Sequence, residues 1–271
     1  MPLPVFVVDA FADAPFTGNP AAVVVYGTDP PADDLMRQIA AEMNLSETAF
    51  VGPPGTHPRL PGEVRSLRWF TPTCEVDLCG HATLAAVHVL AAERGEAGPF
   101  RFATRGGLLT CEAADGEITL DFPAAPASGE DPPPGLAAAF GVEPVRVARN
   151  RWDLLCELPD AAAVRGLRPD VAALAGLSGR GIIVTAAADE GTPGADFVSR
   201  FFAPDAGVPE DPVTGSAHCA LAPWWADRLG RTELVGRQVG PRGGTVRCEV
   251  RGDRVRLTGR AVTTLRGELP V

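Results

Sequence analysis

Apolar runs and their spacing divide the chain into short strands and a few helices. Residues 5–9, 21–26, 64–70, 108–112 and 118–122 are short stretches rich in β-branched, aromatic and leucine side chains, and they predict strands. Asp115-Gly116 and Gly252-Asp253 fall between such stretches and predict the turns of two equivalent hairpins over 108–122 and 245–258. A helical period over 34–43 puts Leu35, Ile39 and Met43 on one face. Residues 80–94 are small and apolar nearly all round and end in Arg94-Gly95, a basic last turn followed by a glycine cap. A helix with no polar face is normally buried. This segment and its counterpart over 215–229 are therefore expected at the centre of curved sheets, the second kinked by Pro223.

The counterpart exists because the chain repeats itself. Arg105-Gly106-Gly107, Cys111-Glu112, Ile118 and Leu120 recur as Arg242-Gly243-Gly244, Cys248-Glu249, Val255 and Leu257, each shifted by 137 positions. Arg68-Trp69-Phe70-Thr71-Pro72 matches Arg200-Phe201-Phe202-Ala203-Pro204 at a shift of 132, and Gly80-His81-Ala82 matches Gly215-Ser216-Ala217 at 135. Three blocks in one order, displaced by half the chain, point to an internal duplication. Between the halves, five prolines in residues 123–135 read as a linker. The expected fold is α+β, with two pseudo-symmetric lobes, each a barrel-like sheet wrapped around a central α-helix. The expected boundaries are an N-terminal lobe over 1–123, a Pro-rich linker over 124–135 and a C-terminal lobe over 136–271.

Composition narrows the chemistry. With 271 residues, 45% of them hydrophobic and 21% charged, the chain can bury a sizeable core, which excludes a disordered protein. A net charge of −10 disfavours polyanionic partners, so neither nucleic acid nor an anionic membrane is expected. All 24 basic residues are arginine, which removes Schiff-base, pyridoxal-anchoring and P-loop lysines. Six cysteines without a C-x-x-C pair, and a start lacking a basic and then apolar leader, read as reduced thiols in a cytoplasmic protein. The apolar runs over 82–92 and 219–225 are too short to span a bilayer.

Both buried helices open on a glycine, Gly80 and Gly215, where free backbone N–H groups and the helix dipole favour an anion such as a carboxylate. On a pseudo-twofold arrangement these two ends would face each other across a cleft. Each glycine by itself equally suits a tight strand-to-helix turn. Proton-moving side chains gather at both ends: Cys79 and His81 at the first, Glu210, Asp211 and Ser216 at the second. The Cys and His spacings match no zinc pattern, and no metal is expected. His88 and His218 read as packing residues. Glu47 stands between a helix end and a strand start, a place that also suits an ordinary turn residue.

Taken together, Phe16-Thr-Gly-Asn19-Pro20, Asn44-Leu-Ser-Glu47-Thr, Glu75-Val-Asp77-Leu-Cys-Gly80-His81-Ala-Thr, Ser199-Arg-Phe-Phe-Ala-Pro204, Glu210-Asp211-Pro-Val-Thr-Gly215-Ser216-Ala-His and Arg242-Gly-Gly closely resemble the PhzF-like phenazine-biosynthesis isomerase family. The resemblance covers nearly the whole chain. It implies a diaminopimelate-epimerase-like fold and a cofactor-free homodimeric isomerase acting on a small anionic carboxylate, such as trans-2,3-dihydro-3-hydroxyanthranilate. Motif for motif, it implies Glu47 as proton carrier, His81 and Asp211 as its catalytic companions, and Gly80, Gly215 and Ser216 as substrate-binding positions. Two other readings stay open. One is an epimerase or racemase with a cysteine at each helix start, of which Cys79 is half; the other is a binding protein that holds a small carboxylate without catalysis.

Overall fold

A computed structural model describes residues 2–58, 60–177 and 179–271, the side chain of Pro61 apart. Met1, Arg59 and Ser178, outside that set, carry no expected site residue; Met1 bears only on the expected start of the first lobe. In chain order the elements are β1 (Leu3–Ala10), β2 (Asn19–Val25), α1 (Asp33–Met43), β3 (Glu47–His57), β4 (Leu60–Phe70), β5 (Glu75–Val76), α2 (Gly80–His88), β6 (Phe100–Thr104), β7 (Gly107–Ala114), β8 (Glu117–Pro123) and β9 (Ser128–Gly129). They continue as α3 (Leu136–Phe140), β10 (Arg146–Arg149), β11 (Asp153–Glu157), α4 (Ala161–Gly166), α5 (Val171–Leu174), β12 (Gly181–Ala187), β13 (Phe197–Ala203), β14 (Val208–Asp211), α6 (Gly215–Leu229), β15 (Glu233–Gln238), β16 (Gly244–Arg251), β17 (Arg254–Gly259) and β18 (Ala261–Leu269).

The chain divides into two compact units, Met1–Asp121 with Thr258–Val271, and Phe122–Leu257. The last strand does not follow the expected C-terminal lobe, because β18 pairs along the whole of β1 and so belongs to the first unit. The Pro-rich segment belongs to the second unit, where Ala124 N–H donates to Asp253 O, Ala125 N–H to Cys219 O, and β9 pairs with β10.

Strand pairing within each unit establishes the duplication independently of sequence. In the first, β18–β1 and β1–β2 are antiparallel, β2–β3 parallel, β3–β4 antiparallel, β4–β6 parallel and β6–β7 antiparallel. In the second, β9–β10 and β10–β11 are antiparallel, β11–β12 parallel, β12–β13 antiparallel, β13–β15 parallel and β15–β16 antiparallel. The six senses recur in the same order.

Layering follows from side-chain character. In the first unit α1 covers one sheet face through Met36, Ile39 and Ala40, packed with Val5, Val24, Phe50 and Phe70. Leu35 and Met43, expected on that face with Ile39, pack against the same cluster half-buried. The helix α2 packs against β1, β2, β3, β7 and β18 and is buried from His81 to Val87. With both faces covered, β2 is buried over Ala21–Val25 as a continuous apolar run, the signature of a strand that meets no solvent. In the second unit α6 takes the place of α2. Trp225 stacks on Phe197 of β13 and donates to Thr185 Oγ1 of β12 at 3.0 Å.

Both central helices lose regularity at their ninth residue. After His88 the first passes into a π turn, Val89–Glu93, and the second has Pro223, which lacks an N–H, at the equivalent position. The expected helix over 80–94 is thus nine α-helical residues and a π turn.

Candidate active site

The start of α2 and the start of β3 come together in the first unit. The helix α1 ends on Asn44 in the left-handed region, φ 50° and ψ 36°, and this reversal delivers Glu47 as the first residue of β3, opposite Ala21 of β2. Cys79, in extended conformation, caps α2, and its carbonyl accepts from Thr83 Oγ1 at 2.5 Å. Glu47 Oε2 lies 3.2 Å from His81 Nε2, and Cys79 Sγ lies 3.6 Å from His81 Nδ1. Among the described residues, Glu47, Cys79 and His81 form a group whose donor atoms all lie within 4.8 Å of one another.

His81 is almost completely buried, and desolvation pushes its pKa down to about 3, so the ring is neutral. A neutral imidazole donates from one nitrogen and accepts at the other. Asn19 Nδ2 stands 3.2 Å from Nδ1, and an amide nitrogen can only donate, so Nδ1 accepts and the ring proton sits on Nε2, facing Glu47. Asn19 itself is held by the Thr17-Gly18 turn. Gly18 has φ +65°, and a Cβ there would lie 2.2 Å from Ala10 O, so only glycine can carry the chain past that carbonyl.

The corresponding corner of the second unit is built differently. The Asp211 carboxylate accepts from Thr214 Oγ1, and Thr214 caps α6, which begins at Gly215 and Ser216. The Gln238 side chain accepts from Thr214 N–H at 3.0 Å and donates to Asp211 O, fastening the turn from behind. His218 Nδ1 donates to Thr214 O at 2.8 Å, the counterpart of the Thr83 bond to Cys79. Burial holds its pKa down at about 4. His88 contacts Thr263 Oγ1 at 3.0 Å. Both histidines thus have structural partners, as packing residues should.

Glu210, grouped above with the proton-moving residues, is bound in an ion pair. Its two oxygens take Arg200 Nε at 2.7 Å and Nη2 at 2.8 Å, and Glu75 takes Arg68 in the same fork at 2.7 and 2.9 Å. The matched Arg and Glu of the two sequence blocks therefore serve each fold half.

Register shows what the halves do not share. Thr48 pairs with Phe70 and Ile182 with Phe202, so Glu47 corresponds to Gly181. A Cβ at Gly181 would lie 2.3 Å from the Phe201 ring, leaving no room for a carboxylate there. Thr214 likewise stands where the first unit has Cys79, and the Cys219 thiol, one turn further on, is raised to about 12 by burial.

Glu47, Gly80 and His81 of the expected set thus share one corner of the first unit, and Asp211, Gly215 and Ser216 share one of the second. Sequence reasoning singled out Cys79 at the helix start but did not assign Asn19 or Gln238 to the site. Asn19 lay within a quoted motif beside a glycine that needs positive φ. Nothing local marks Gln238.

The family model described as phenazine biosynthesis-like protein matches residues 8–267. The chain belongs to that family. It is 49% identical to an uncharacterized isomerase of Pseudomonas aeruginosa over 97% of this chain and 96% of that one. The crystal structure of a PhzF-family phenazine biosynthesis protein from Enterococcus faecalis superimposes with a TM-score of 0.92 at 41% identity, covering 100% of both chains. A hydroxyproline epimerase from Agrobacterium vitis, with trans-4-hydroxy-L-proline bound, matches with a TM-score of 0.60 at 13% identity over 99% of this chain and 92% of that one. At that identity the likeness concerns fold alone, and the fold is the diaminopimelate-epimerase-like one expected from the motifs. Among the described residues no helix is long and apolar enough to cross a membrane.

Proposed function

We propose that this family member is a cofactor-independent isomerase that moves a proton between two carbons of a small carboxylate substrate, with Glu47 as the carrier. The observation that supports this is the Glu47 carboxylate 3.2 Å from the Nε2 of a neutral, buried histidine, in one repeat only. A carbon acid gives up its proton to a base screened from water, and donors must meet the charge that develops on the substrate. Glu47 takes the proton and returns it at a different carbon. The Nε2–H of His81 orients the carboxylate or the substrate's polar group. The helix start at Gly80 supplies N–H groups for the substrate carboxylate, and Asp211, Gly215 and Ser216 form the equivalent helix start of the second unit. On trans-2,3-dihydro-3-hydroxyanthranilate the proton would leave C3 and return to another ring carbon, giving an enol that becomes the ketone. The same reading takes the protein as a homodimer working in the cytoplasm.

The two-thiol epimerase reading finds less support, since Thr214 occupies the second thiol position and Cys219 is held as a neutral thiol. Proton NMR in D2O with trans-2,3-dihydro-3-hydroxyanthranilate tests the proposal. Isomerisation with deuterium uptake is expected for the wild type, and Glu47→Gln should lower its rate by about 100-fold or more with the fold intact. Wild-type turnover in that variant would remove Glu47 from the mechanism. Binding without any exchange would favour the carboxylate-binding reading.

A further inference from the structure

We propose that a cleft in the second unit, walled by residues 126–132, β10 and the second half of α6, binds a small organic cation of the guanidinium or amidinium class. The duplication shows what is missing there. Thr48 matches Ile182 in register, and following the pairings outward from them, Val7 of β1 matches Arg149 of β10. Val7 pairs with Leu265 and Arg149 with Ser128, so Arg266 of β18 corresponds to Gly129 of β9.

In the first unit the Arg266 guanidinium reaches across to the helix end and grips Glu93, Nε at 2.6 Å and Nη2 at 2.7 Å, while Thr263 Oγ1 donates to the same carboxylate at 2.7 Å. Glu93 stands one π turn after His88, and Asp227 stands one α turn after Pro223, so the two carboxylates hold matching places on their helices. The second unit thus keeps the helix carboxylate and lacks the strand guanidinium. A Cβ at Gly129 would have Val147 O, at 4.0 Å, as its nearest neighbour, and a cleft of about 910 Å³ lies between Gly129 and Asp227. That is the size of a small-molecule site.

The walls fix the class of ligand. Pro126, Pro132, Pro223 and the Trp224 indole give apolar surface. Each wall carries one exposed carboxylate, Asp131 and Asp227, and neither has an ion-pair partner among the described residues. The arginines of the cleft are engaged: Glu157 takes Arg146 at 3.0 Å and Arg228 at 3.3 Å, and the Arg228 guanidinium lies 3.6 Å from the centre of the Trp224 ring. Glu130 takes Arg149 at 2.8 Å. The network is therefore one cation short. A planar amidinium supplies it, as Arg266 does in the first unit, and an apolar body attached to it covers the prolines and the indole. No residue of the candidate active site lines the cleft, so the inference stands independently of the isomerase reading.

Calorimetric titration of the full-length protein with benzamidine tests it, with benzamide as the uncharged counterpart. One equivalent of benzamidine should bind saturably, and benzamide should not. Asp227→Asn should weaken binding about ten-fold or more. Gly129→Arg, which gives the second unit the guanidinium of the first, should abolish binding while the circular dichroism stays that of the wild type. Asp115→Asn, at the exposed turn between β7 and β8, controls for the net charge of −10 and should leave binding unchanged. Absence of saturable binding, equal binding of benzamide, or affinity unchanged in Asp227→Asn or in a folded Gly129→Arg would overturn the site. A loss in Asp115→Asn as large as that in Asp227→Asn would overturn it too, by reducing it to attraction to the net charge.

Discussion

Asn19 sets the His81 ring proton on Nε2, the side that faces Glu47, and the consequences belong to single side chains. Without the Asn19 amide, the proton can move to Nδ1 and leave a lone pair facing the Glu47 carboxylate. Replacing Asn19 by Ala should lower kcat by about 10–100-fold, the value of one hydrogen bond in a desolvated site, while KM changes little. The ring should also shift toward the Nδ1–H tautomer in nitrogen NMR, a change that mere loosening of the fold would not produce. Unchanged tautomer and unchanged kcat would show that Asn19 only packs. Arg68 and Arg200 are a contrasting case at the same scale, since their bidentate bonds to Glu75 and Glu210 tie β4 to β5 and β13 to β14 alike in the two units.

The strand-to-strand connection between β1 and β2 is where an element depends on one glycine. Gly18 and Gly95 have nearly the same backbone angle, φ +65° and +67°, but a Cβ at Gly95 meets nothing within 4 Å, whereas one at Gly18 collides with Ala10 O. Gly95→Ala should therefore cost only the left-handed strain, about 1–2 kcal/mol. Gly18→Ala should cost about 3 kcal/mol or more and displace Asn19, so activity falls with stability. Denaturant midpoints of the two variants measure the difference; equal losses would show that the turn relaxes freely. The hairpin between β7 and β8 turns on Asp115 and Gly116, both at positive φ, and that between β16 and β17 has Gly252 at φ +62°. These are the turns that Asp-Gly and Gly-Asp predict.

For the whole molecule, two buried neutral histidines make stability sensitive to acid. Burial lowers the pKa of His81 to about 3 and of His218 to about 4, against about 6.5 in an unfolded chain. Above about pH 6.5 both are neutral in either state and contribute no pH dependence. Below it the unfolded chain binds protons that the folded one refuses, so stability falls with pH until the folded values are reached. Each histidine adds up to about 1.4 kcal/mol per pH unit within that window. Urea unfolding across it should show this slope, and His218→Gln, which keeps a donor for Thr214 O, should reduce it. An unchanged slope in that variant would mean that His218 takes up a proton in the fold.

Much of this protein is written locally. The Asp-Gly turn, the apolar run over β2, the all-round apolar helices and the recurring Arg-Gly-Gly and Gly-His-Ala blocks depend on neighbours within a few residues, and each element expected from them is present. The duplication was legible because both copies keep the same turn, strand and helix signals. Pairing between distant segments was not. Nothing in residues 261–269 names β1 as their partner, so the last strand joined the first unit against the expected boundary. Glu47 read as an ordinary turn residue until motif resemblance singled it out, because a carboxylate acquires a role from what surrounds it. Its contact with His81, the Asn19 amide that sets the ring proton and the Phe201 ring that bars a second carboxylate at Gly181 all arise from strands and helices far apart in sequence. Local sequence determined the elements and their repetition; tertiary packing decided which polar groups lost water together, and so which of them can do chemistry.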